Sequence, residues 1–185
     1  VSQKPETRLL RRGDYQNPGE VVEANLPWFF DAKKPIAERR LQPVGQTSGR
    51  RLALAQQLFA SPNASALLTR VYVNRVWAQL FGKGIALNTD NFGLSGQKPT
   101  HADLLEYLSS NFQNAGWRLK PLVRSIVLSA VYQQSSTPSV QKVATSQKVD
   151  PANTLYWKYP LRRLNSESIR DSILACAGKL DTRME

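Results

Sequence analysis

The feature that most constrains the fold is a run of apolar residues at helical spacing within residues 68–85, LTRVYVNRVWAQLFGKGI. The periodic positions are Leu68, Val71, Tyr72, Val76 and Leu80, and two aromatic residues, Trp77 and Phe81, widen the same stripe. Gly82 and Gly84 follow the last periodic residue, where a left-handed C-terminal cap favours glycine. The stretch therefore predicts an amphipathic helix around which the other elements pack.

Similar apolar spacing predicts four further helices. They cover residues 49–60, 100–114, 120–132 and 166–180. Thr100 is predicted to cap the second of them, with its hydroxyl accepting from the Asp103 amide. Short connections between about five helices predict an all-α fold, an irregular helical bundle.

Residues 1–48 are interpreted as an extended N-terminal arm or linker, because prolines interrupt every longer pattern. Residues 7–13 and 19–27 are each candidates for a short strand. The consecutive aromatic residues 28–30 are expected to fill a groove of the helical domain, with a ligand platform as the alternative. The helical domain takes residues 49–185 and is expected to be truncated at its C-terminus.

Two loops are expected within the helical domain. Residues 87–99 are rich in Asn, Gly, Ser and Asp, which favour turns. Phe92 and Leu94 are predicted to fix this loop to the core. Residues 135–149 contain Ser, Thr, Gln and Lys with almost no large apolar residue, and they are predicted to form a flexible loop.

The charge of the chain favours polyanionic partners. Its formal net charge is +11, with a pI near 10.1. Nucleic acid, anionic polysaccharide and anionic lipid surfaces all match this charge. No run of 18 apolar residues occurs, so no transmembrane segment is predicted. The single cysteine, Cys176, excludes an internal disulfide and a cysteine-based metal site.

Few residues suggest catalysis. His101 is the one histidine, and no spacing of other ligands beside it predicts a metal site. A candidate polar site combines His101 with Asp90 and Asn74, as part of a hydrolase or oxidoreductase. Asp90, Asp103 and Glu106 could also act as paired carboxylates in glycoside cleavage. Capping and solvent-facing roles are favoured for these carboxylates, and no GxSxG, CxxCH or phosphate-loop motif occurs.

A set of arginines is the candidate for an anion-binding cleft. The set comprises Arg70, Arg75, Arg124, Arg162 and Arg163. The favoured alternative is structural, because an arginine among apolar residues needs a carboxylate or carbonyl partner. In that interpretation Arg75 and Arg124 join helix ends to loops, with Asp90, Asp171 or Glu167 as partners.

Four stretches resemble one family in order and spacing. They are RVYVNRVWAQLFGKGI, NTDNFGLSGQKPTHADLLEYLSSNF, GWRLKPLVRSIVLSAVYQQSS and DPANTLYWKYPLRRLNSESIRDSILACAGKLD. The family is a planctomycete-type domain of unknown function, domain-of-unknown-function family 1553, and the resemblance covers roughly residues 6–181. The matching positions that could carry a role are Arg70, Asn74, Arg75, Trp77, Phe92, Gly93, Pro99, Thr100, His101, Gly116, Trp117, Arg124, Tyr132, Arg162, Arg163, Glu167, Arg170 and Asp171.

The resemblance implies a partial domain from the C-terminal side of a large exported protein, at the periplasm or cell surface. Family members commonly carry a separate c-type cytochrome domain, so haem is expected there and no cofactor on this segment. The implied function is a helical scaffold or binding module, with other domains of the same polypeptide or an anionic glycan as partners. The charge leaves a basic nucleic-acid-binding domain as an alternative, ranked lower because the arginines interleave with apolar positions.

Overall fold

The structure is a computed structural model that describes residues 6–22, 27, 30 and 49–183. In this part of the chain the helices are α1 (Arg50–Ala60), α2 (Pro62–Phe81), α3 (Ala102–Asn114), α4 (Leu119–Val127), α5 (Ala130–Gln133), α6 (Val140–Val149) and α7 (Ser166–Cys176). The arm contributes β1 (Arg8–Leu10) and β2 (Pro18–Val21), which pair antiparallel across a short 3-10 turn. These elements confirm the predicted mostly helical fold with short strands in the N-terminal arm.

Helix α2 is the axis of the fold. Ser61 caps its start by accepting from the Ala64 amide at 3.3 Å, and Pro62 occupies the first turn, where a helix tolerates proline. Gly82 ends the helix with φ of 83°, in the left-handed conformation predicted for it. None of the described helices is long and apolar enough to cross a membrane.

The core forms where α1 and α3 pack against α2 and α4 packs against α3. Its buried apolar residues are Val73, Val76, Trp77, Phe81, Ile85, Leu105, Leu108, Phe112, Leu122 and Ile126. The buried stripe of α2 is rotated from the predicted one: Val76, Trp77 and Phe81 are buried as predicted, but Leu68, Val71 and Leu80 are only half-buried. Val73 is fully buried, whereas Tyr72 is 41% exposed and stacks on Phe112. Because α2 is apolar on several sides and is contacted by two helices, sequence spacing alone does not identify its innermost face.

The prediction of a flexible loop over residues 135–149 differs from the structure, which contains α6 there. Ser139 caps α6 by accepting from the Lys142 amide at 3.4 Å. The helix buries no residue. The lack of large apolar residues in its sequence therefore indicated that the segment packs poorly, and it did not indicate that the segment lacks a helix. Lys, Gln and Ala all have favourable helix propensity, which favours a helix here although the low apolar content predicted a flexible loop.

Two predicted contacts were wrong, one at the start of α3 and one in the 87–99 loop. Thr100 does not cap α3, because its amide and hydroxyl both donate to the Ile85 carbonyl, at 2.9 and 3.1 Å. His101 takes the cap position without a side-chain hydrogen bond to α3. Phe92 packs against the core as predicted, but Leu94 is fully exposed.

One residue of the aromatic group 28–30 is described. The Ser61 hydroxyl donates to the Phe30 carbonyl at 2.6 Å, and Phe30 lines an apolar groove with Leu67 and Val71 of α2. The expected contact between the arm and the helical domain is therefore present at Phe30. Trp28 and Phe29 lie outside the described residues.

Candidate functional site

Asn74, a candidate for the polar site, is instead a buried structural residue. Its side chain has no exposed surface. The amide nitrogen donates to the Ala86 carbonyl at 2.9 Å, and the amide oxygen accepts from the Ala86 nitrogen at 2.9 Å. Asn74 thus pairs with one backbone residue in the way that a neighbouring β-strand would, and it fixes the chain just after α2.

Gly84 allows this contact. A Cβ atom at Gly84 would lie 2.6 Å from the Asn74 amide nitrogen and 2.5 Å from the Ala86 carbonyl oxygen. Neither distance is compatible with a side chain. The second glycine of the GKGI stretch therefore provides room for the Asn74 contact, whereas Gly82 provides the left-handed cap.

The C-terminal carbonyls of α2 are bound by residues far along the chain. The last carbonyls of a helix have no partner within the helix. The Tyr159 hydroxyl donates to the Leu80 carbonyl at 2.9 Å, and the Arg162 guanidinium donates to the Gln79 carbonyl. Arg162, a member of the predicted anion-binding set, therefore binds the negative end of the α2 dipole.

Tyr156 also contributes to this junction, which joins the end of α2 to residues 156–162. Its hydroxyl accepts from the Trp77 indole nitrogen at 2.9 Å and makes a long contact of 3.5 Å with the Lys83 carbonyl. Burial raises the pKa of the Tyr156 hydroxyl, and the hydrogen bond from Trp77 opposes this effect only in part. The hydroxyl therefore stays protonated at neutral pH.

Asp150 organises the segment that leads to Tyr156. One carboxylate oxygen accepts from the Thr154 amide at 2.9 Å and the Thr154 hydroxyl at 2.8 Å, and the other accepts from the Leu155 amide at 2.7 Å. Burial alone would raise the pKa of Asp150, but the three hydrogen bonds outweigh it and lower the pKa below its ordinary value of 3.8. The ionised carboxylate thus stabilises the folded segment.

Acid should therefore destabilise the protein partly through Asp150. Because its pKa is lower in the folded state, its contribution is present above the unfolded pKa and is lost as the pH falls through the folded pKa. Asp150→Asn should lower the free energy of unfolding at neutral pH by about 1.5–3 kcal/mol. Urea denaturation from about pH 6 to about pH 2.5 should also show a weaker pH dependence in this variant.

The control is Asp171→Asn, which removes an exposed carboxylate that pairs with Arg170 at 3.1 Å. It should keep the wild-type pH dependence, because an exposed pair of this kind contributes little. Equal pH dependence in wild type and Asp150→Asn would contradict the role given to Asp150.

Two of the predicted arginines form surface ion pairs. Arg75 pairs with Asp90 at 3.3 Å, which confirms the predicted partner. Arg70 places two guanidinium nitrogens on one Glu106 oxygen, at 2.8 and 2.7 Å. Both pairs join α2 to neighbouring elements, and their exposure limits what each contributes to stability.

The arginine set does not converge on one cleft. Arg70 and Arg75 line different cavities, and Arg124 lies beside a shallow groove on α4. Asp171 and Glu167 do not pair with Arg124, so those predicted partners were wrong: Asp171 pairs with its neighbour Arg170, and Glu167 accepts from Ser166. These acidic residues lie on the exposed helix α7. Arg163 is also exposed.

The candidate polar set is also not assembled. No hydrogen bond joins any two of His101, Asp90 and Asn74. The His101 ring lies 3.0 Å from the Thr100 hydroxyl and packs against the Tyr156 ring, with 5.9 Å between ring centroids. Within the described residues, no group of three or more His, Cys, Asp or Glu side chains could hold a metal ion.

The structure shows a cleft that sequence analysis missed. It has a volume of about 320 Å³ and lies between the end of α2 and the segment 151–161. Tyr156 contributes aromatic surface, whereas Phe81 lies behind the wall and is 1% exposed, and Lys83 and Lys158 contribute positive charge. Apart from Thr100, the walls come from two stretches about 70 residues apart in the sequence. Asn153 and Tyr156 line the cleft with positive φ, which a sequence pattern does not reveal.

Comparisons with known proteins give one finding. No curated protein and no solved structure matched the chain. A family model described as "Protein of unknown function (DUF1553)" matches residues 50–185, which include all seven described helices; the paired strands of the arm lie outside the match. Because this match covers well over half of the chain, the protein belongs to the PSD1 family of proteins of unknown function, DUF1553.

Proposed function

We propose that this chain is a helical scaffold module of a larger exported polypeptide, and that α7 packs against a neighbouring domain of that polypeptide. The observation that carries the proposal is the exposure of Ile169 and Ile173, which are 43% and 64% exposed on one face of α7. An amphipathic helix normally buries such a face. No described element of this chain makes an extensive contact with α7.

The chain preceding α7 extends this apolar surface. Leu161 and Leu164 are 82% and 53% exposed. Four large apolar residues in and just before α7 are therefore exposed, which is unfavourable in water and favours burial against a partner.

The uses of the polar candidates also favour a scaffold over an enzyme. Asn74 is bound to the Ala86 backbone, Asp90 pairs with Arg75, and Arg162 binds the end of α2. Each of these groups holds one part of the fold to another. The side chains that suggested chemistry are therefore engaged in maintaining the structure.

The proposed partner is a c-type cytochrome domain, with the complete protein at the periplasm or cell surface. The support for this partner is the sequence resemblance described above. Haem would be bound by that domain, and α7 would contribute packing surface beside it.

Hydrogen exchange tests the proposal directly. In the 185-residue chain, the α7 amides should exchange faster than those of α2, because α7 has little tertiary support. In a longer natural polypeptide that contains the chain, the α7 amides should exchange at least about tenfold more slowly than in the chain alone.

The variants Ile169→Ser/Ile173→Ser should abolish this added protection. The matched control is Glu167→Ser/Asp171→Ser, which changes two residues with the same spacing on the opposite side of α7 and should keep the protection. Unchanged α7 exchange in the longer polypeptide, or equal loss in both double variants, would contradict the proposal.

A further inference from the structure

The cleft between the end of α2 and residues 151–161 has properties of a ligand site. Its volume of about 320 Å³ lies at the small end of the roughly 300–1,000 Å³ range of ligand cavities. It therefore suits a compact ligand of about one ring. Among the described residues, none of α7 lines the cleft, and Leu161 is the one residue that the cleft shares with the apolar surface to which the scaffold role is assigned.

The lining defines the chemistry of that ligand. Pro151, Pro160 and the half-buried ring of Tyr156 give apolar walls, with the buried Phe81 ring behind them. Lys83 and Lys158 are the charged side chains among the described lining residues, and no carboxylate lines the cleft. A ligand that combines an apolar ring face with a negative group would complement both features.

Contacts restrain both the ammonium and the backbone of Lys158. Its ammonium lies 4.8 Å from the centroid of the Trp157 ring, a cation–π contact. Its backbone amide donates to the Asn153 side chain at 3.2 Å, and its carbonyl accepts from that side chain at 2.9 Å. The Trp157 indole nitrogen donates to the Asp150 carbonyl at 2.9 Å. The lysine therefore requires less ordering on binding than an unrestrained surface lysine.

Two of the four non-glycine residues with positive φ in the described part of the chain lie at this cleft. Asn153 and Tyr156 both line the cleft with φ of 54°. For a bulky residue such as tyrosine this conformation is rare, and such strain is frequent at ligand-binding sites. The Gln134 side chain donates to the Tyr156 carbonyl at 2.8 Å and helps to hold this conformation.

The helix dipole does not cancel the positive charge of the cleft. The C-terminus of a helix carries partial negative charge. At the end of α2, however, the Arg162 guanidinium and the Tyr159 hydroxyl bind the Gln79 and Leu80 carbonyls. These bonds partly neutralise the negative end of the helix dipole beside the cleft.

We propose that this cleft binds a uronate unit of an anionic polysaccharide. The carboxylate would bind between Lys83 and Lys158, and the C–H face of the sugar ring would pack against the aromatic and proline walls. The small volume of the cleft and the two lysines among its lining residues favour one acidic sugar over a nucleic-acid strand, which needs an extended basic groove.

Isothermal titration calorimetry of the 185-residue chain tests the proposal with two probes, tetragalacturonate and its fully methyl-esterified form. Tetragalacturonate should bind, and the ester should bind at least about tenfold more weakly because it lacks the carboxylates. Equal affinity for both probes, or no binding of tetragalacturonate, would overturn the proposal.

The variants Lys83→Ala/Lys158→Ala should weaken tetragalacturonate binding by about tenfold or more. The matched control is Lys142→Ala/Lys148→Ala, which removes the same charge from exposed positions on α6 and should change the dissociation constant less than about threefold. Thermal melting followed by circular dichroism would verify that both variants fold. Equal loss in the two double variants, or tighter binding of an oligothymidylate that is also weakened by the cleft variant, would overturn the uronate assignment.

Discussion

Replacement of Asn74 by alanine is expected to lower the free energy of unfolding by about 2–5 kcal/mol. The variant leaves both the amide and the carbonyl of Ala86 buried without a partner, and each such group costs about 1–3 kcal/mol. A loss of this size is a large fraction of the roughly 5–15 kcal/mol by which a domain is stable. Urea denaturation at pH 7 measures it.

Asn74→Asp tests the geometry of the same contact. The carboxylate can accept from the Ala86 amide, but only its protonated form can donate to the Ala86 carbonyl. The loss of stability relative to wild type should therefore be smaller at about pH 3 than at pH 7. The control is Asn114→Ala at the exposed end of α3, where a change within about 0.5 kcal/mol is expected. A loss below about 1 kcal/mol for Asn74→Ala would contradict the structural role.

The helix that contains Asn74 could be predicted from sequence because its signals are local. The apolar period of α2 and the glycine that ends it lie within a few turns of each other, and the structure confirms both. The exact buried face was less predictable, since Val73 and not Tyr72 is innermost. That choice depends on which helices pack against α2.

The role of Asn74 could not be predicted because its partner is the backbone of Ala86, and no residue type in the sequence marks a backbone group as a partner. A polar residue on an apolar helix suggests either a site or a buried contact, and only the fold distinguishes them. Thr100 shows the same difficulty. Its local sequence predicts a helix cap, but its hydroxyl binds the Ile85 carbonyl in the same post-helix segment.

The Arg75–Asp90 pair and the cleft show what sequence analysis could and could not predict about the site. The Arg75–Asp90 pair was predicted because a short loop returns the aspartate to the helix. The cleft was not, because residues 81–87 and 151–161 meet only after the chain has folded through four further helices. Long-range junctions of this kind leave no periodic signal in the sequence.

Phe81→Ala is expected to lower the free energy of unfolding by about 3–5 kcal/mol, the usual cost of removing a buried phenylalanine ring. Phe81 is 1% exposed, and its ring stacks on Trp77 with centroids 4.2 Å apart. Edge or tilted contacts join it to Tyr132, Tyr156 and Tyr159, at 5.6, 5.3 and 5.8 Å. The ring therefore connects the end of α2 to the segment that binds its carbonyls.

Phe59→Ala is the control that distinguishes the loss of Phe81 from the loss of any aromatic ring. Phe59 is 56% exposed and makes one edge contact with Trp117, so its removal should cost only about 1 kcal/mol. Phe81→Leu should recover part of the lost stability, because leucine refills some of the cavity. Urea denaturation measures all three variants. If Phe81→Ala costs no more than Phe59→Ala, Phe81 does not hold the junction together, and the C-terminal segment must be fixed to α2 chiefly by its hydrogen bonds.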